Sequence, residues 1–144
     1  RLRRVPDSPS LRWSWTLSFG TQRSQENRRN ISHPPLCPKF KINLGKDQQK
    51  LGFHYNARFN YYGDLHTIIC NDLSEARWGT EQRERNFPYV KGTTVEICIS
   101  FEETAYKVTT HDGYEFTFPN RLQLEKLEFA SFQGDFNVRK VDFD

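Results

Sequence analysis

Hydrophobic and polar residues alternate along several short stretches of the chain, with the period of two that is typical of β-strands. The clearest stretch is LGFHYNARF at 51–59. Its apolar positions Phe53, Tyr55, Ala57 and Phe59 point to one side of an extended backbone, and its polar positions point to the other. We therefore expect a strand that buries one face in a core and leaves the other face open.

Similar patterns predict further strands along the rest of the chain. They lie at 40–44, 67–70, 93–102, 105–110 and 114–118. Turn or loop signals separate them at 45–49, 60–64, 72–80 and 111–113, the last being an Asp-Gly hairpin signal. Many short strands without a helical repeat predict an all-β fold, either an antiparallel sandwich or a barrel.

Two more strand patterns lie near the ends of the chain. LRWSWTLSF at 11–19 alternates strictly, and we expect it to pair with the edge of the sheet. Near the C-terminus, Phe136 and Val138 share one parity, whereas Val141 and Phe143 share the other. This switch predicts either a bulge or a strand that is covered on both faces.

Composition and charge suggest one domain preceded by a basic segment. The chain has 144 residues, including 12 Phe and 6 Tyr but no Met, and this aromatic content favours strands. Residues 1–41 carry a net charge of +7, whereas residues 42–144 carry −4. We expect 1–38 to be partly irregular and 39–144 to form the domain. An Arg-rich arm can contact nucleic acid or an anionic membrane, but a solvated tail is the ordinary interpretation and no nucleic-acid partner is expected.

The cysteines and the hydropathy pattern favour a cytosolic origin. Cys37, Cys70 and Cys98 lie far apart, and the last two fall in predicted strands, where we expect buried, reduced thiols. The chain has neither an apolar run of the ~18 residues that a membrane helix needs nor a signal-peptide pattern. Membrane insertion is therefore not expected.

The polar face of 51–59 belongs to a larger set of side chains that could recognise a sugar. The set combines an imidazole, two amides, two guanidinium groups, a carboxylate and an indole: His54, Asn56, Arg58, Asn71, Trp78, Glu81 and Arg83. Sugar hydroxyls both donate and accept hydrogen bonds, so planar polar groups suit them, and an indole can cover the apolar face of a pyranose. On spacing alone, a solvated sheet surface with Arg–Glu ion pairs remains an alternative.

Read in order, these residues resemble the galectin signature. The matching blocks are HYNAR (54–58), CN (70–71), WGTEQR (78–83), FPY (87–89), DGYEFTFPNRL (112–122) and GDF (134–136). The resemblance covers about 39–144 and is to the prototype galectins, which have one carbohydrate-recognition domain. It implies a concanavalin A-like jelly-roll sandwich of two antiparallel sheets. It also implies a lectin for β-galactosides of the lactose and N-acetyllactosamine type on glycoproteins and glycolipids, with no catalysis, metal or cofactor.

The resemblance implies a role for each galactose-binding residue. His54, Asn56 and Arg58 would bind the axial 4-hydroxyl that distinguishes galactose from glucose. Asn71 would reach the 6-hydroxyl, and Trp78 would stack on the apolar face of the ring. A site built around one hydroxyl rejects the epimer because its own polar groups are then left unpaired.

The resemblance also implies roles for Glu81 and Arg83 at the second sugar, and it bears on whether the chain forms a homodimer. Glu81 would hold the neighbouring glucose or N-acetylglucosamine and orient Arg58, and Arg83 would complete the network. Tyr62 stands where prototype members often have His, and residues 1–38 do not match the terminal strands that build the family's two-fold dimer. A homodimer is therefore a weak prediction. Synthesis in the cytoplasm, with export that uses no signal peptide, is implied.

Two other functions are weighed from the sequence. The chain could be a galectin-like intracellular interaction scaffold whose sugar site is impaired. An enzyme is not expected, because Glu81 and Glu84, the nearest carboxylate pair, face opposite sides of an extended segment. The four histidines show no metal-ligand spacing.

Overall fold

The computed structural model describes residues 11–19, 39–90, 93–134 and 136–143. These residues form eleven β-strands and no helix. The strands are β1 Leu11–Phe19, β2 Lys39–Asp47, β3 Lys50–Tyr61, β4 Asp64–Ser74, β5 Arg77–Trp78, β6 Gln82–Glu84, β7 Thr94–Phe101, β8 Ala105–Thr110, β9 Glu115–Pro119, β10 Phe129–Gly134 and β11 Phe136–Phe143.

The strands form two antiparallel sheets, which confirms the predicted fold class. One sheet has the order β11-β1-β7-β8-β9, and the other has the order β10-β2-β3-β4-β5, with β6 also paired to β4. Neighbours in space are often distant in sequence, as with β10 and β2. The register of β3 against its neighbours matters most for the site, because β3 lies between β2 and β4.

The core lies between the two sheets and uses the alternation seen in the sequence. Phe53, Tyr55 and Ala57 on β3 are fully buried, as are Ile97 and Ile99 on β7. Since burial of one such side chain contributes roughly 2 kcal/mol, the core fixes which face of β3 points outwards. The polar residues between these positions therefore lie on the outer face.

Aromatic rings fill much of this core. The Phe53 ring stacks on Tyr106 with centroids 5.0 Å apart and approaches Phe118 at 5.4 Å. The hydroxyl groups of Tyr55 and Tyr89 share a buried hydrogen bond. Burial raises the pKa of Tyr55, so this pair stays neutral. The many Phe and Tyr residues of the sequence thus fill the core between the two sheets.

The N-terminal strand predicted at 11–19 is present, but it lies inside its sheet rather than at the edge. Trp15 pairs with Ile97 of β7 on one side and with Val141 of β11 on the other. The bulge predicted near the C-terminus is also confirmed, since Thr16 pairs with Lys140 while Leu17 pairs with Val138. Residue 139 is the extra position that switches the parity of β11.

Several predicted boundaries are wrong by a few residues. The expected loop at 60–64 is a two-residue turn, Tyr62-Gly63, with φ of 48° and 82°. The loop at 72–80 contains a second tight turn, Glu75-Ala76, with φ of 51° and 61°. Strand β10 was not predicted, because its sequence FASFQG does not alternate.

The cysteine prediction is correct for one residue and wrong for another. Cys70 is fully buried, and burial raises the pKa of its thiol. Cys98 is only half-buried, on the outer face of β7. Neither Cys70 nor Cys98 is in a disulfide, and the Cys98 thiol donates to Oε1 of Glu96 at 3.7 Å. Cys37 and the expected irregular segment 1–38 fall largely outside the described residues, and the domain boundary at 39 stays a prediction.

Candidate functional site

Strand register brings the sequence-predicted side chains together on the outer face of the six-stranded sheet. His54 pairs with Asn71, and Asn56 pairs with Ile69. Ile69 in turn pairs with Arg83 on β6. Directly paired residues of antiparallel strands share a face, so β3, β4 and β6 present these groups to the same side. We call this outer surface, with Arg58, Trp78 and Glu81, the binding face.

His54 is held as a neutral acceptor on the binding face. It is 8% exposed, and its Nδ1 lies 2.5 Å from Oδ1 of Asn43. Burial, with a further contribution from the Lys41 charge, lowers the pKa of His54 to about 4. An amide oxygen can only accept, so Nδ1 of the neutral ring donates and Nε2 is left as an acceptor. The amide of Asn43 is fixed in turn by donating to Oγ of Ser131 at 3.0 Å.

Trp78 is the large apolar surface of the site. Its side chain is 53% exposed, although its ring packs against the His54 ring with centroids 4.6 Å apart. The strand β5 that carries it is only two residues long, so other contacts must hold the ring in place. Nδ2 of Asn71 donates to the carbonyl of Gly79 at 3.0 Å, and the Gly79 amide donates to the Asp72 carbonyl at 3.0 Å.

A second set of contacts closes the loop after Trp78. Nη1 of Arg121 donates to Oδ1 of Asp72 at 2.8 Å and to the carbonyl of Thr80 at 2.6 Å. A Cβ atom on Gly79 would lie 2.4 Å from the same Asp72 oxygen. Glycine is thus required by the close approach of a carboxylate that Arg121 already holds.

A chain of four charged groups runs along the other end of the binding face. Nη1 of Arg58 donates to Oδ2 of Asp64 at 2.5 Å, and Nη1 of Arg83 donates to Oδ1 of the same carboxylate at 2.6 Å. Nη2 of Arg83 also donates to Oε2 of Glu81 at 2.8 Å. The hydrogen bond from Arg83, followed by that from Arg58, lowers the pKa of Asp64. Asp64 therefore makes the orienting contact with Arg58 that the sequence analysis assigned to Glu81.

Two polar side-chain atoms on the outer face of β3, from residues two positions apart, are buried without a hydrogen-bond partner among the described residues. They are Oδ1 of Asn56 and Nε of Arg58. Asn56 is 4% exposed. One atom is an acceptor and the other a donor, and both belong to residues on the same face of the strand. A buried unpaired polar group costs about 1–3 kcal/mol, so a ligand hydroxyl that satisfies both would be favoured.

The comparisons with known proteins agree with this arrangement. A profile of the family described as galactoside-binding lectin matches residues 24–143. The chain belongs to the galectins. Galectin-1 of Bos taurus is 50% identical to it over 105 residues, which cover 73% of this chain and 78% of that protein.

Solved galectin structures match both the fold and the length of this galectin. The toad ovary galectin, solved in complex with thio-digalactose, aligns with a TM-score of 0.80 and 27% identity, covering 99% of this chain and 96% of that one. CG-16, a homodimeric agglutinin from chicken liver, aligns with a TM-score of 0.76 and 33% identity, covering 94% and 90%. Together with the family match, these relatives make the protein a jelly-roll β-galactoside-binding lectin. No finding favours the alternative of a scaffold with an impaired site.

Four residues of the site were missed by sequence reasoning. They are Asn43, Asp64, Asp72 and Arg121, each of which fixes a predicted residue or its loop. Asn43 and Asp72 had a detectable signal, because each is a polar residue inside or next to a buried strand segment. Arg121 lies within the block DGYEFTFPNRL, which matched the family without a role being assigned to this residue.

Neither a metal site nor a membrane-spanning helix is found among the described residues of this galectin. No group of three or more His, Cys, Asp or Glu side chains there is arranged to hold a metal ion. None of the described residues forms a helix able to cross a bilayer.

Proposed function

We propose that this galectin binds β-galactosides of the lactose and N-acetyllactosamine type on its binding face, without catalysis. The observation that carries the proposal is the unpartnered acceptor of Asn56 beside the unpartnered donor of Arg58. One sugar hydroxyl would satisfy both, since its oxygen accepts from Nε–H of Arg58 while its proton goes to an acceptor.

His54 offers an alternative acceptor for the single proton of this hydroxyl. Its Nδ1 is committed to Asn43, so Nε2 is available across physiological pH. A hydroxyl that stands off the mean plane of the ring reaches down to these groups more readily than one that lies in the plane. This supports recognition of the axial 4-hydroxyl of galactose. The equatorial epimer would leave buried groups unpaired, a loss that discriminates strongly.

Trp78 supports the orientation of the ring. Its exposed indole can cover the face of galactose that carries only C–H groups, a contact of about 1 kcal/mol. Asn71 uses one amide proton on the Gly79 carbonyl, which leaves its second for the 6-hydroxyl. Stacking and hydrogen bonding together then fix one pose for the ring.

Glu81 and Arg83 are proposed to contact the second sugar of the disaccharide. Their ion pair lies on the half-exposed part of the binding face, beyond the buried residues of β3. A preformed carboxylate–guanidinium pair presents both an acceptor and donors to a hydroxyl. This suits either glucose or N-acetylglucosamine in that position.

Calorimetric titration with lactose and cellobiose tests the proposal. The two disaccharides share a β1,4 linkage and differ only at the 4′-hydroxyl, so selective binding of lactose reports on the His54–Asn56–Arg58 face. Arg58→Ala should reduce lactose affinity by more than about tenfold, because it removes the donor to the sugar hydroxyl and leaves Oδ2 of Asp64 without its partner. Arg85→Ala, at an exposed arginine nearby, is the matched control. Equal binding of both sugars, or normal binding by Arg58→Ala, contradicts the proposal.

A second copy of the chain is the proposed protein partner. CG-16 is described as homodimeric, and among the described residues β11 is at one edge of the five-stranded sheet and β10 is at one edge of the six-stranded sheet. Outer strands carry backbone groups that can pair with another copy. Sedimentation equilibrium gives the test, since a monomer at micromolar concentration contradicts this part of the proposal.

Cytosolic synthesis followed by export without a signal peptide is the proposed location. The reduced state of Cys70 and Cys98, neither of which is in a disulfide, supports it, because thiols persist in a reducing compartment. Release from cells that continues when the secretory pathway is blocked is the expected result. Release that stops under the block contradicts it.

A further inference from the structure

The hydroxyl of Tyr106 is a buried polar group that does not belong to the binding face. Tyr106 comes from β8 in the five-stranded sheet and is fully buried. Its ring stacks on Phe53 of the opposite sheet, and its Oη has no hydrogen-bond partner among the described residues. Most buried polar groups in proteins are paired, because an unpaired one costs free energy. The surroundings of this hydroxyl indicate which group it serves.

A glycine in β3 makes room for the Tyr106 hydroxyl. A Cβ atom on Gly52 would lie only 2.2 Å from Oη of Tyr106, so any other residue at this position would displace the hydroxyl. Gly52 is also skipped in the pairing of β3 with β2, which makes it the extra residue of a β-bulge. The bulge therefore lets a tyrosine of one sheet reach the backbone of the other sheet.

The same bulge lies opposite Asp72 of β4. Gly52 and Phe53 on β3 occupy the length that Asp72 alone occupies on β4. The Tyr106 hydroxyl, seated at Gly52, is thus one strand spacing of ~4.8 Å from the backbone of β4 at Asp72. Burial, followed by the negative charge of Asp72, raises the pKa of Tyr106. The hydroxyl therefore keeps its proton and can donate it in a hydrogen bond.

Asp72 supports the segment that carries Trp78. It lies on the core side of β4, in phase with Cys70. Its Oδ1 accepts from Arg121 at 2.8 Å, and no described residue donates to its Oδ2. The carboxylate packs against Gly79, where an added Cβ would lie 2.4 Å from Oδ1 and 3.1 Å from Oδ2. A shift of this carboxylate would therefore move the residue that follows Trp78.

We propose that Tyr106 is a positioning residue for the sugar site, because one water molecule bridges its hydroxyl to Oδ2 of Asp72. The inference rests on the proposed function, since it concerns the segment that holds Trp78 against galactose. The water accepts from the tyrosine and donates to the carboxylate. Two hydrogen bonds of about 2.8 Å that meet at one water span roughly 4.5–5 Å, which matches the strand spacing. A buried water needs at least two polar partners, and these two groups supply them.

Tyr106→Phe tests this role, because it removes the hydroxyl and keeps the ring. The readouts on the full chain are titration with lactose and hydrogen exchange of the Gly79 amide, which donates to the Asp72 carbonyl. We expect lactose affinity to fall about two- to fivefold, the scale of one water-mediated hydrogen bond, and the Gly79 amide to exchange faster. A hydroxyl without a bridging water predicts the opposite. Its removal would raise the urea midpoint of unfolding and leave both readouts unchanged.

Two further variants separate positioning from general stability. Tyr89→Phe is the matched control, because it also removes a buried tyrosine hydroxyl, one that is hydrogen-bonded to Tyr55. It should lower the urea midpoint but leave lactose affinity and Gly79 exchange as in the wild type. Asp72→Asn keeps the shape of its side chain and removes the charge that holds the water. In the Asp72→Asn background, Tyr106→Phe should therefore reduce lactose affinity less than it does in the wild type.

The outcomes are distinguishable from those of the proposed function. Where the wild type binds lactose, unchanged affinity or unchanged Gly79 exchange in Tyr106→Phe overturns the positioning role alone. An equal loss in both backgrounds, or the same loss in Tyr89→Phe, also overturns it, because the effect would then not pass through Asp72. A wild type that does not bind lactose overturns the proposed function, whereas Gly79 exchange in the variants still decides the role of Tyr106.

Discussion

Arg58 donates to the Asp64 carboxylate at 2.5 Å, so a residue beyond the seven predicted from the sequence fixes a central group of the site. The second oxygen of Asp64 accepts from Arg83 at 2.6 Å. One carboxylate therefore aligns two guanidinium groups of the binding face. Hydrogen bonds of this charged type hold a side chain in one orientation before binding, which reduces the entropy that binding costs.

Replacement of this carboxylate should weaken sugar binding without unfolding the protein. Asp64→Asn keeps the shape but removes the charge that both arginines share. We expect about a tenfold loss of lactose affinity, the scale of a charge-assisted hydrogen bond in a partly exposed place. Calorimetry measures the loss. Glu115→Gln, which disturbs an exposed pair with Lys107 on the other sheet, should bind normally. Unchanged affinity in Asp64→Asn would show that Asp64 does not position Arg58.

The close approach of Gly79 to Asp72 leads to a second prediction. In Gly79→Ala the new Cβ would lie 2.4 Å from an oxygen that Arg121 already holds, so the loop after Trp78 must move. We expect a severalfold loss of lactose affinity and a changed Trp fluorescence response to the sugar. Thr80→Ala, at the next position, removes an exposed side chain but keeps the backbone carbonyl that accepts from Arg121. It should behave as the wild type, and equal behaviour of the two variants would refute the argument.

The strands predicted correctly from the sequence are those in which apolar and polar residues alternate. Alternation placed β3 correctly and identified which of its faces carries polar residues, because core burial forces that choice. It missed β10, whose residues do not alternate, and it ended β3 too early. The early end has a physical reason: Tyr62 adopts a positive φ of 48°, a conformation that sequence patterns assign to Gly or Asn.

The predicted parts of the site are those carried by one chain segment. His54, Asn56 and Arg58 follow from alternation and from the family resemblance. Their supporting partners depend on pairings between strands, such as Asn43 with His54, which the sequence does not specify. Asp64 shows the limit well. It pairs with Tyr61, so strict alternation places it on the face of the sheet opposite to Arg58, yet next to the Tyr62-Gly63 turn its carboxylate reaches that side chain.

A strained turn beside the site offers a stability prediction. Ala76 has a φ of 61° in the tight turn between β4 and β5, where a Cβ atom costs about 1 kcal/mol relative to glycine. Ala76→Gly should therefore raise the free energy of unfolding by roughly 0.5–1 kcal/mol, or the melting temperature by about 2–4 °C. Urea denaturation measures the change. Ala130→Gly, in the body of β10, should instead destabilise by a similar amount, and a destabilised Ala76→Gly would contradict the argument.

The lowered pKa of His54 predicts how binding and stability respond to acid. Because that pKa is about 4, the ring stays neutral and Nε2 stays an acceptor at pH 5.5 as it does at pH 7.4, so lactose affinity should change little between them. As the pH approaches 4, protonation removes the acceptor and affinity should fall. A midpoint near 6.5, the ordinary value for histidine, would contradict this description of the site.

The free energy of unfolding should also depend on pH through His54, and it should fall in acid. Above pH 6.5 the imidazole is neutral in both the folded and the unfolded state and contributes no pH dependence. Between pH 6.5 and 4 the imidazole of His54 binds a proton in the unfolded chain but stays neutral in the folded chain. The free energy of unfolding therefore falls as the pH falls. The full effect is on the order of 3 kcal/mol. Urea denaturation from pH 7 to 4.5 measures it, and His54→Gln should show a shallower loss than the wild type. Parallel curves for the two proteins would mean that other groups, such as the carboxylates, control the acid response.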